Sequence, residues 1–433
     1  MRNVFQRSPN RGNGNNVAYV NSSGNVNNNN AVNGNFVAPD CVPKTGLHEP
    51  PLGTSPATQR KEPPSCGQGR EQHGGEHAPI PRDGGASAVP TLEDAIGYDA
   101  LMESAHACMR NVIWKDSVAY FMLHMNELVS ELCDMLHAGT YRQRPCVEFD
   151  ITSPKPRTIS AAAFRDRVVQ RSFNDHVIYP VMSRSWIRDN YACQEGKGTD
   201  DGRDRLQCHL ERHMRKHGMN GWVGIWDIHG YYDNLVHRFV NKRFRSKLPT
   251  FASDFAISTL EFQYPGEKGY HPGSQLVQIA GVDYLDPVDH FAKERLRLRG
   301  YSRYMDDIVM VHEDRGCMED CMRLMSERIS DIGLSPNPKK TRVQHISKTI
   351  TFLGFDYHVR DGCVYKLVNP AKVKEQRRKL RRMAKLVRSG RMRPEDYLTS
   401  LGCMLEHDSK GDSEALVERM EAYGKTVLEG AVR

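Results

Sequence analysis

The sequence has no run of about eighteen apolar residues, the length a helix needs to cross a bilayer, so no membrane span is predicted. Its N-terminus is rich in Asn and Gly and lacks the basic-then-apolar pattern of a secretory signal. The eleven cysteines include no CxxC pair and no His/Cys cluster with zinc-finger spacing. Because their odd number favours a reducing compartment, we expect a cytoplasmic protein without a membrane partner.

The 433 residues, 39% of them hydrophobic and 26% charged, suffice for a globular protein of two or three domains. The net charge of +7 is a modest excess, so its distribution matters more than its size. Residues 1–92 differ from the rest, with four consecutive asparagines at 27–30, many Gly and Pro, and few apolar residues. Such a segment buries too little apolar surface to offset the entropy of ordering it, so a disordered tail is predicted.

Two acidic segments are predicted to meet at a sheet edge. Asp227 ends the short apolar run Trp222–Trp226, which predicts a buried strand. Asp306 and Asp307 lie within the extended stretch Tyr301–Val311, where a turn between two strands would present their carboxylates to solvent. Carboxylates gathered in this way repel unless cations intervene, and hard oxygen ligands select Mg²⁺ or Mn²⁺. An Asp pair alone is also typical of a surface turn, so the neighbouring motifs decide.

The segments around these aspartates resemble the motifs of reverse transcriptases. Residues 301–307, YSRYMDD, resemble the YxDD box of the family, and residues 227–233, DIHGYYD, resemble its first catalytic motif. The resemblance continues in unbroken order from about residue 95 to residue 370. It implies an RNA-directed DNA polymerase whose catalytic and metal-binding residues are Asp227, Asp306 and Asp307. These residues would hold two Mg²⁺ ions, or Mn²⁺, for phosphoryl transfer.

The resemblance also implies an α/β right-hand polymerase fold, with fingers, a palm built on an antiparallel sheet, and a helical thumb. Behind the tail of residues 1–92, N-terminal helices and fingers are expected at 93–226. The palm is expected at 227–369, including a fingers motif near 269–278, and a basic helical thumb at 370–433.

Further motifs resemble the nucleotide-binding segments of the family. Lys155 and Arg157 are expected to neutralise the incoming triphosphate, because a guanidinium fork matches phosphate oxygens. Tyr232 is implied as the steric gate that excludes a ribose 2′-OH, the group that separates RNA from DNA precursors. Lys340 would assist the leaving pyrophosphate. The alternatives are a core aromatic at Tyr232 and solvated cations at Arg157 and Lys340.

A glutamine that contacts the nucleotide has two possible registers within residues 269–278, GYHPGSQLVQ. Mobile-intron and retroviral relatives carry Gln-Gly at this point, whereas the enzymes of diversity-generating retroelements carry Ser-Gln. Gln275 would match the second pattern with Ser274 before it. Gln278 would match it with Val277 in place of the serine.

Nucleic-acid contacts are implied by the YxDD box, by a segment that resembles the primer grip, and by a basic helix-prone stretch at 371–393. The predicted residues are Tyr304, Met305, Phe352, Leu353, Gly354, Arg377, Arg378 and Arg381. The basic stretch would track the backbone of an RNA–DNA duplex, with strong salt dependence. Thr349–Tyr357 and Cys363–Leu367 are predicted as two strands of a hairpin that turns at Asp361–Gly362.

The Ser-Gln pattern favours an enzyme of a diversity-generating retroelement that copies a template-repeat RNA into cDNA. Residues 20–30, VNSSGNVNNNN, resemble the Asn-rich diversified ends of proteins that such retroelements target. We therefore hypothesise that roughly the first 35 residues are translated from the template repeat, a generic low-complexity tail being the alternative.

The expected partners are an RNA template, a DNA primer or RNA–DNA duplex, and deoxynucleoside triphosphates. The resemblance also implies a small basic helical accessory protein. The competing hypotheses are a retron, group II intron-derived or phage-defence reverse transcriptase, an RNA-dependent RNA polymerase, and a non-catalytic nucleic-acid-binding protein with a polymerase fold.

Overall fold

The computed structural model describes residues 89–151, 157–271 and 273–432. The predictions for the tail at residues 1–88 and for Lys155 lie outside the described residues. All residues from Pro90 onward belong to one compact unit. None of the described helices is long and apolar enough to span a membrane.

The first part of this unit is helical, with one small hairpin. Its elements are α1 (Glu93–Ile96), α2 (Tyr98–Met109), α3 (Asp116–Leu123), α4 (Met125–His137), β1 (Val147–Ile151), β2 (Arg157–Ala161), α5 (Phe164–Phe173), α6 (Tyr179–Met182) and α7 (Thr199–His217). A π-helical turn, Asn174–Ile178, joins α5 to α6. Apolar residues recur at helical spacing along α1 to α6, so each of these helices turns one side towards a shared core.

The second part carries the central sheet. Its elements are β3 (Trp222–Trp226), α8 (His237–Lys247), α9 (Thr250–Gln263), α10 (Gln275–Tyr284), α11 (Asp286–His290), β4 (Gly300–Tyr304), β5 (Asp307–His312), α12 (Arg315–Ser330) and β6 (Arg342–His345). The strand order is β4-β5-β3-β6, and every neighbouring pair is antiparallel.

The two faces of this sheet are covered by different helices. Because strand side chains alternate, Val223 and Val309 point to the side where Leu206 and Leu210 of α7 pack. On the other face, α12 approaches the backbone of β3 closely. A Cβ added at Gly224 would lie 2.7 Å from Met318 Sδ, so this glycine allows the close packing. The buried sheet confirms the predicted strand at Trp222–Trp226.

A smaller sheet follows, with strands β7 (Ile350–Phe352), β8 (Phe355–Arg360) and β9 (Cys363–Val368). The single strand predicted over Thr349–Tyr357 is wrong, because a two-residue turn divides it. Leu353 and Gly354 adopt positive φ angles of 47° and 84°, which reverses the chain. The turn predicted at Asp361–Gly362 is confirmed, with φ angles of 53° and 76°.

Three helices complete the chain: α13 (Pro370–Arg388), α14 (Pro394–Asp408) and α15 (Glu414–Val432). Asn369 caps α13 by accepting a hydrogen bond from the Ala371 N–H at 2.8 Å, and Pro370 occupies the first turn. Leu380 and Met383 of α13 share a core with Tyr397 of α14. The mixed helix–sheet architecture with antiparallel sheets confirms the predicted fold class, while the domain boundaries stay predictions.

Candidate active site

A two-residue turn joins β4 to β5 at the edge of the central sheet. Tyr304 pairs with Asp307, and Met305 and Asp306 form the turn between them, with Met305 at a φ of 55°. The predicted turn at these aspartates is therefore confirmed. The prediction that both carboxylates face solvent is wrong for Asp306, which is 2% exposed. The segment after α12 packs against this edge, where Ile228 forms a bridge with Pro336.

Asp227 reaches the same edge from β3. Trp226, the last residue of β3, pairs with Ile308 at the start of β5, so the next residue along the chain lies beside Asp306 and Asp307. The Asp227 carboxylate is 3% exposed and accepts hydrogen bonds from Lys340 Nζ at 2.7 Å and Asn337 Nδ2 at 2.9 Å. The motif at 337–341 thus holds the first aspartate in place.

Three carboxylates lie close together at this edge. Burial raises the pKa of Asp306 well above its usual range, and the nearby carboxylates of Asp307 and Asp227 raise it further. Lys340 opposes this shift. Asp306 Oδ2 is buried and has no hydrogen-bond partner among the described residues. A buried, unsatisfied carboxylate oxygen beside two further carboxylates fits a bound cation.

The three aspartate side chains nevertheless do not form a complete set of metal ligands. Within the described ranges, no three His, Cys, Asp or Glu side chains are grouped so as to hold a metal ion. Instead, the Lys340 ammonium group contacts Asp227 where a cation would bind. The metal assignment of the three aspartates therefore stays a prediction.

Arg303 anchors the catalytic turn from below, and sequence reasoning missed it. Its side chain is fully buried and donates to Asp289 Oδ1 and Oδ2 at 2.8 and 2.9 Å through Nε. It also donates to the Met305 carbonyl at 3.1 Å and to the Val282 carbonyl at 3.0 Å. A charged residue inside an apolar strand was the available signal, because a buried charge requires a buried partner.

Tyr232 packs beside the turn. It is buried, its hydroxyl lies 3.6 Å from Met305 Sδ, and burial raises its pKa so that the hydroxyl stays protonated. A Cβ at Gly281 would lie 3.0 Å from Tyr232 Oη, so the ring rests on the backbone of α10. This position next to Asp306 suits a gate, and the burial also agrees with the core alternative.

The two candidate glutamines occupy different places on α10. Gln278 is half-buried and lies one helical turn before Gly281, which contacts the Tyr232 ring. Gln275 is exposed at the first position of α10 and lines a cavity of about 250 Å³ together with Ser160 and Ser274. The structure therefore brings Gln278 closer to the catalytic turn than Gln275.

For Arg157 the structure gives only the backbone, which begins β2 opposite Ile151.

The predicted primer-grip residues form the turn between β7 and β8. Phe352 is buried, and Arg203 of α7 donates to the Leu353 carbonyl through Nε at 2.9 Å and Nη2 at 2.7 Å. The Arg203 guanidinium also stacks 4.7 Å from the Phe355 ring centroid. Sequence reasoning missed Arg203, which fixes this turn from a helix about 150 residues away in sequence.

A groove of about 1140 Å³ lies between the α2–α3 turn and helices α13 and α14. Its cations on α13 are Lys372, Lys379 and Arg382. Trp114, which is 66% exposed, lines the other side.

The three arginines predicted to contact nucleic acid are absent from this groove lining. Arg377 instead stacks 5.1 Å from the Tyr423 ring, and Arg378 and Arg381 are exposed. Their role stays a prediction.

Residues 150–357 match the family model of reverse transcriptase, RNA-dependent DNA polymerase. This segment is therefore a reverse transcriptase domain with the α/β right-hand polymerase fold, and it contains Asp227, Asp306 and Asp307. The match confirms the predicted enzyme class for the segment: RNA-directed DNA polymerase, a nucleotidyltransferase.

Two solved structures are similar to part of the chain. Telomerase from Candida albicans in complex with a TWJ fragment of telomeric RNA shares 13% identity, covering 57% of this chain and 51% of that one, at a TM-score of 0.40. Apo telomerase from Candida tropicalis, truncated from the C-terminal domain, shares 13% identity, covering 56% and 60%, at a TM-score of 0.39. The chain thus spans between half and two thirds of these structures. No curated protein matches it.

Proposed function

We propose that this chain copies an RNA template into DNA, and that the template is the template-repeat RNA of a diversity-generating retroelement. The observation that carries the polymerase activity is the gathering of Asp227, Asp306 and Asp307 at one buried sheet edge. What supports the retroelement is the Ser274–Gln275 pair before α10 and the Asn-rich N-terminal tail.

Asp227, Asp306 and Asp307 would hold two Mg²⁺ ions, or Mn²⁺, which when bound stabilise the attacking and leaving oxygens of phosphoryl transfer. Asn337 keeps the Asp227 carboxylate oriented, at 2.9 Å. Lys340, whose ammonium group lies 2.7 Å from Asp227 Oδ1, would be the residue that binds the leaving pyrophosphate.

The remaining nucleotide contacts select a deoxynucleoside triphosphate. Tyr232, whose ring contacts Gly281 and whose hydroxyl lies 3.6 Å from Met305 Sδ, excludes a 2′-OH. Gln275 of the Ser274–Gln275 pair, or Gln278 about one turn further along α10, contacts the nucleotide. Lys155 and Arg157 neutralise the triphosphate.

The nucleic acid lies in the groove between the α2–α3 turn and the C-terminal helices. Residues 93–226 supply the N-terminal helices and fingers, 227–369 the palm, and 370–433 the thumb. Lys379 and Arg382 of α13 face the groove and neutralise backbone phosphates of a template–primer duplex. A small basic accessory protein and the RNA template complete the assembly.

Primer extension tests this function. The reaction contains a defined RNA template, a DNA primer, deoxynucleotides and Mg²⁺, and the product is sequenced. Asp306→Asn should abolish cDNA, whereas the matched change Asp361→Asn, at an exposed turn with a φ of 53°, should leave synthesis unchanged.

Errors concentrated at template adenines would support the retroelement assignment. Errors spread evenly over the template would favour a retron, intron-derived or phage-defence enzyme instead. cDNA synthesis unaffected by Asp306→Asn would contradict the assignment of the catalytic residues. A wild-type protein that binds the duplex but makes no cDNA, even with its native RNA and neighbouring proteins, would favour the non-catalytic alternative.

A further inference from the structure

Three basic side chains converge on the turn between β7 and β8. A Cβ built at Gly354 would lie 3.6 Å from Lys372 Nζ, 4.0 Å from Arg203 Nη2 and 4.0 Å from His407 Nε2. These nitrogens are the three heavy atoms nearest to that point outside the immediate chain. Because Gly354 has no side chain, a small space lined by donors of positive charge remains open above the turn.

This space is short of negative charge. Lys372 Nζ lies 2.9 Å from His407 Nε2, another basic group, and the described residues provide it with no carboxylate partner. Burial, followed by the nearby Arg203, lowers the pKa of Lys372, although Asp408 and Glu375 partly oppose this shift. Arg203 itself is paired with Asp200 through Nη1 at 2.6 Å, while its Nη2 faces the turn. An anion bound here would relieve the repulsion between the basic groups.

His407 is held in one orientation. Its Nδ1 lies 3.1 Å from Asp408 Oδ1, its ring stacks 5.0 Å from Phe355, and Asp408 also accepts a hydrogen bond from Gln376 at 3.0 Å. With Nδ1–H donated to the buried Asp408, Nε2 of the neutral ring accepts from Lys372. When the ring is protonated, Nε2 becomes a donor, so Lys372 and His407 can then both donate to one anionic oxygen.

The surroundings indicate a polyanion. Lys372 and His407 line the groove of about 1140 Å³, which is far larger than a single phosphate group. Along α13, Lys379 and Arg382 continue the same lining, roughly 10 and 15 Å further at the rise of an α-helix. Trp114, exposed on the opposite side, offers a surface on which a base can stack. The lining also holds the carboxylates of Glu375 and Asp396, but its five Lys and Arg side chains outnumber them, and cations facing an aromatic side chain match a nucleic-acid strand.

We propose that Lys372 and His407 form a phosphate cradle over Gly354 that binds one backbone phosphodiester of the strand lying against the β7–β8 turn. This inference rests on the proposed function, since it requires a nucleic-acid duplex in the groove. Lys372 and His407 are positioning residues: they fix the strand and do not contact the reacting atoms.

The first experiment measures binding of a labelled RNA–DNA hybrid by fluorescence anisotropy, without nucleotides, over a series of KCl concentrations. Lys372→Gln should weaken binding about tenfold at low salt and reduce the slope of log Kd against log [KCl] by about one. Lys372→Arg should keep most of the affinity. The control Lys425→Gln removes an exposed cation of α15 that does not line the groove and should change neither quantity.

The second experiment locates the phosphate. Single methylphosphonates are placed in turn along the DNA strand and then along the RNA strand. The wild-type protein should bind more weakly when the methylphosphonate stands at one particular position. At that position the modification should not weaken binding by Lys372→Gln or His407→Gln any further, because these variants already lack the phosphate contact. A DNA position would assign the contact to the primer strand, and an RNA position to the template strand. Thermal unfolding of each variant checks that the fold is intact.

The cradle would be overturned if the affinity losses of the variant and of the methylphosphonate simply added at every position. Equal effects of Lys372→Gln and Lys425→Gln would also overturn it. Because these measurements need no synthesis, they separate the two proposals. A position-specific phosphate effect without any cDNA would reject the polymerase and keep the cradle. Normal cDNA synthesis without a position-specific phosphate effect would reject the cradle and keep the polymerase.

Discussion

Replacing Arg303 by methionine tests whether the buried ion pair beneath the catalytic turn holds it in place. Arg303 is fully buried and Asp289 is 1% exposed, so the substitution removes the one guanidinium that, among the described residues, is paired with this carboxylate. Tyr301, whose hydroxyl donates to Asp289 at 2.7 Å, would be the donor that remains. Removing one partner of a buried pair costs about 3–5 kcal/mol, because the other charge stays buried without compensation.

We therefore expect Arg303→Met to lower the free energy of unfolding by about 3–5 kcal/mol and the Tm by roughly 5 °C or more. The deficit should depend on pH. Burial already raises the pKa of Asp289, and Arg303 lowers it. Without Arg303 this pKa rises further, so the variant gains stability relative to wild type as the pH falls and the carboxyl group is protonated. Urea unfolding at pH 8, 6.5 and 5 measures this trend.

Two further variants sharpen the test. Arg323→Met removes an exposed guanidinium that contacts two carboxylates, Asp320 and Glu327, and should cost far less stability than Arg303→Met because solvent screens these ion pairs. The double variant Arg303→Met/Asp289→Asn removes the buried charge altogether and should recover more than half of the loss. Equal costs for Arg303→Met and Arg323→Met, or a deficit that is constant with pH, would refute the reasoning.

Three other predictions follow from the site. Asp306→Asn should abolish synthesis in the presence of Mg²⁺. Measured without divalent ions, the same change should raise the Tm slightly because it relieves repulsion between buried carboxylates, and a lower Tm would contradict the electrostatic account. Tyr232→Ala should raise ribonucleotide use relative to deoxynucleotide use in a competition assay, and unchanged selectivity would favour a core role. Burial lowers the pKa of the His209 imidazole to about 4, below its value in the unfolded chain. Between pH 6.5 and pH 4 the unfolded chain therefore binds a proton that the folded chain does not, and the free energy of unfolding should fall by at most roughly 3 kcal/mol. His209→Gln should flatten this part of the pH profile, and an unaltered profile would assign it to other groups.

The catalytic edge could be predicted from the sequence because its signals are local. An apolar run that ends in Asp227, and an Asp pair inside an extended stretch, each indicate a strand end within a few residues. The antiparallel pairing then brings both strand ends to one edge. The order of the motifs along the chain identified the domain without any knowledge of packing.

Other features depended on tertiary structure and were not predictable. The turn at Leu353 is hidden because a leucine at a φ of 47° gives no sequence signal. Arg203 supports that turn from α7, about 150 residues away in sequence. The basic residues of α13 lie on several sides of the helix, so sequence alone could not tell which cations face the groove. The packing of Leu380 and Met383 against α14 decides that rotation.

The catalytic edge contains three arrangements that each cost free energy. Met305 holds a positive φ without being glycine, Asp306 Oδ2 is buried without a partner, and Asp306 lies close to two further carboxylates. Arg303 supports the strained backbone at Met305 by donating to the Met305 carbonyl. Within the described part of the chain, however, Asp306 Oδ2 has no hydrogen-bond partner. A cation would satisfy that oxygen and reduce the repulsion together, whereas a further hydrogen-bond donor would address only the oxygen. This difference favours a site preorganised for cations over a merely strained turn.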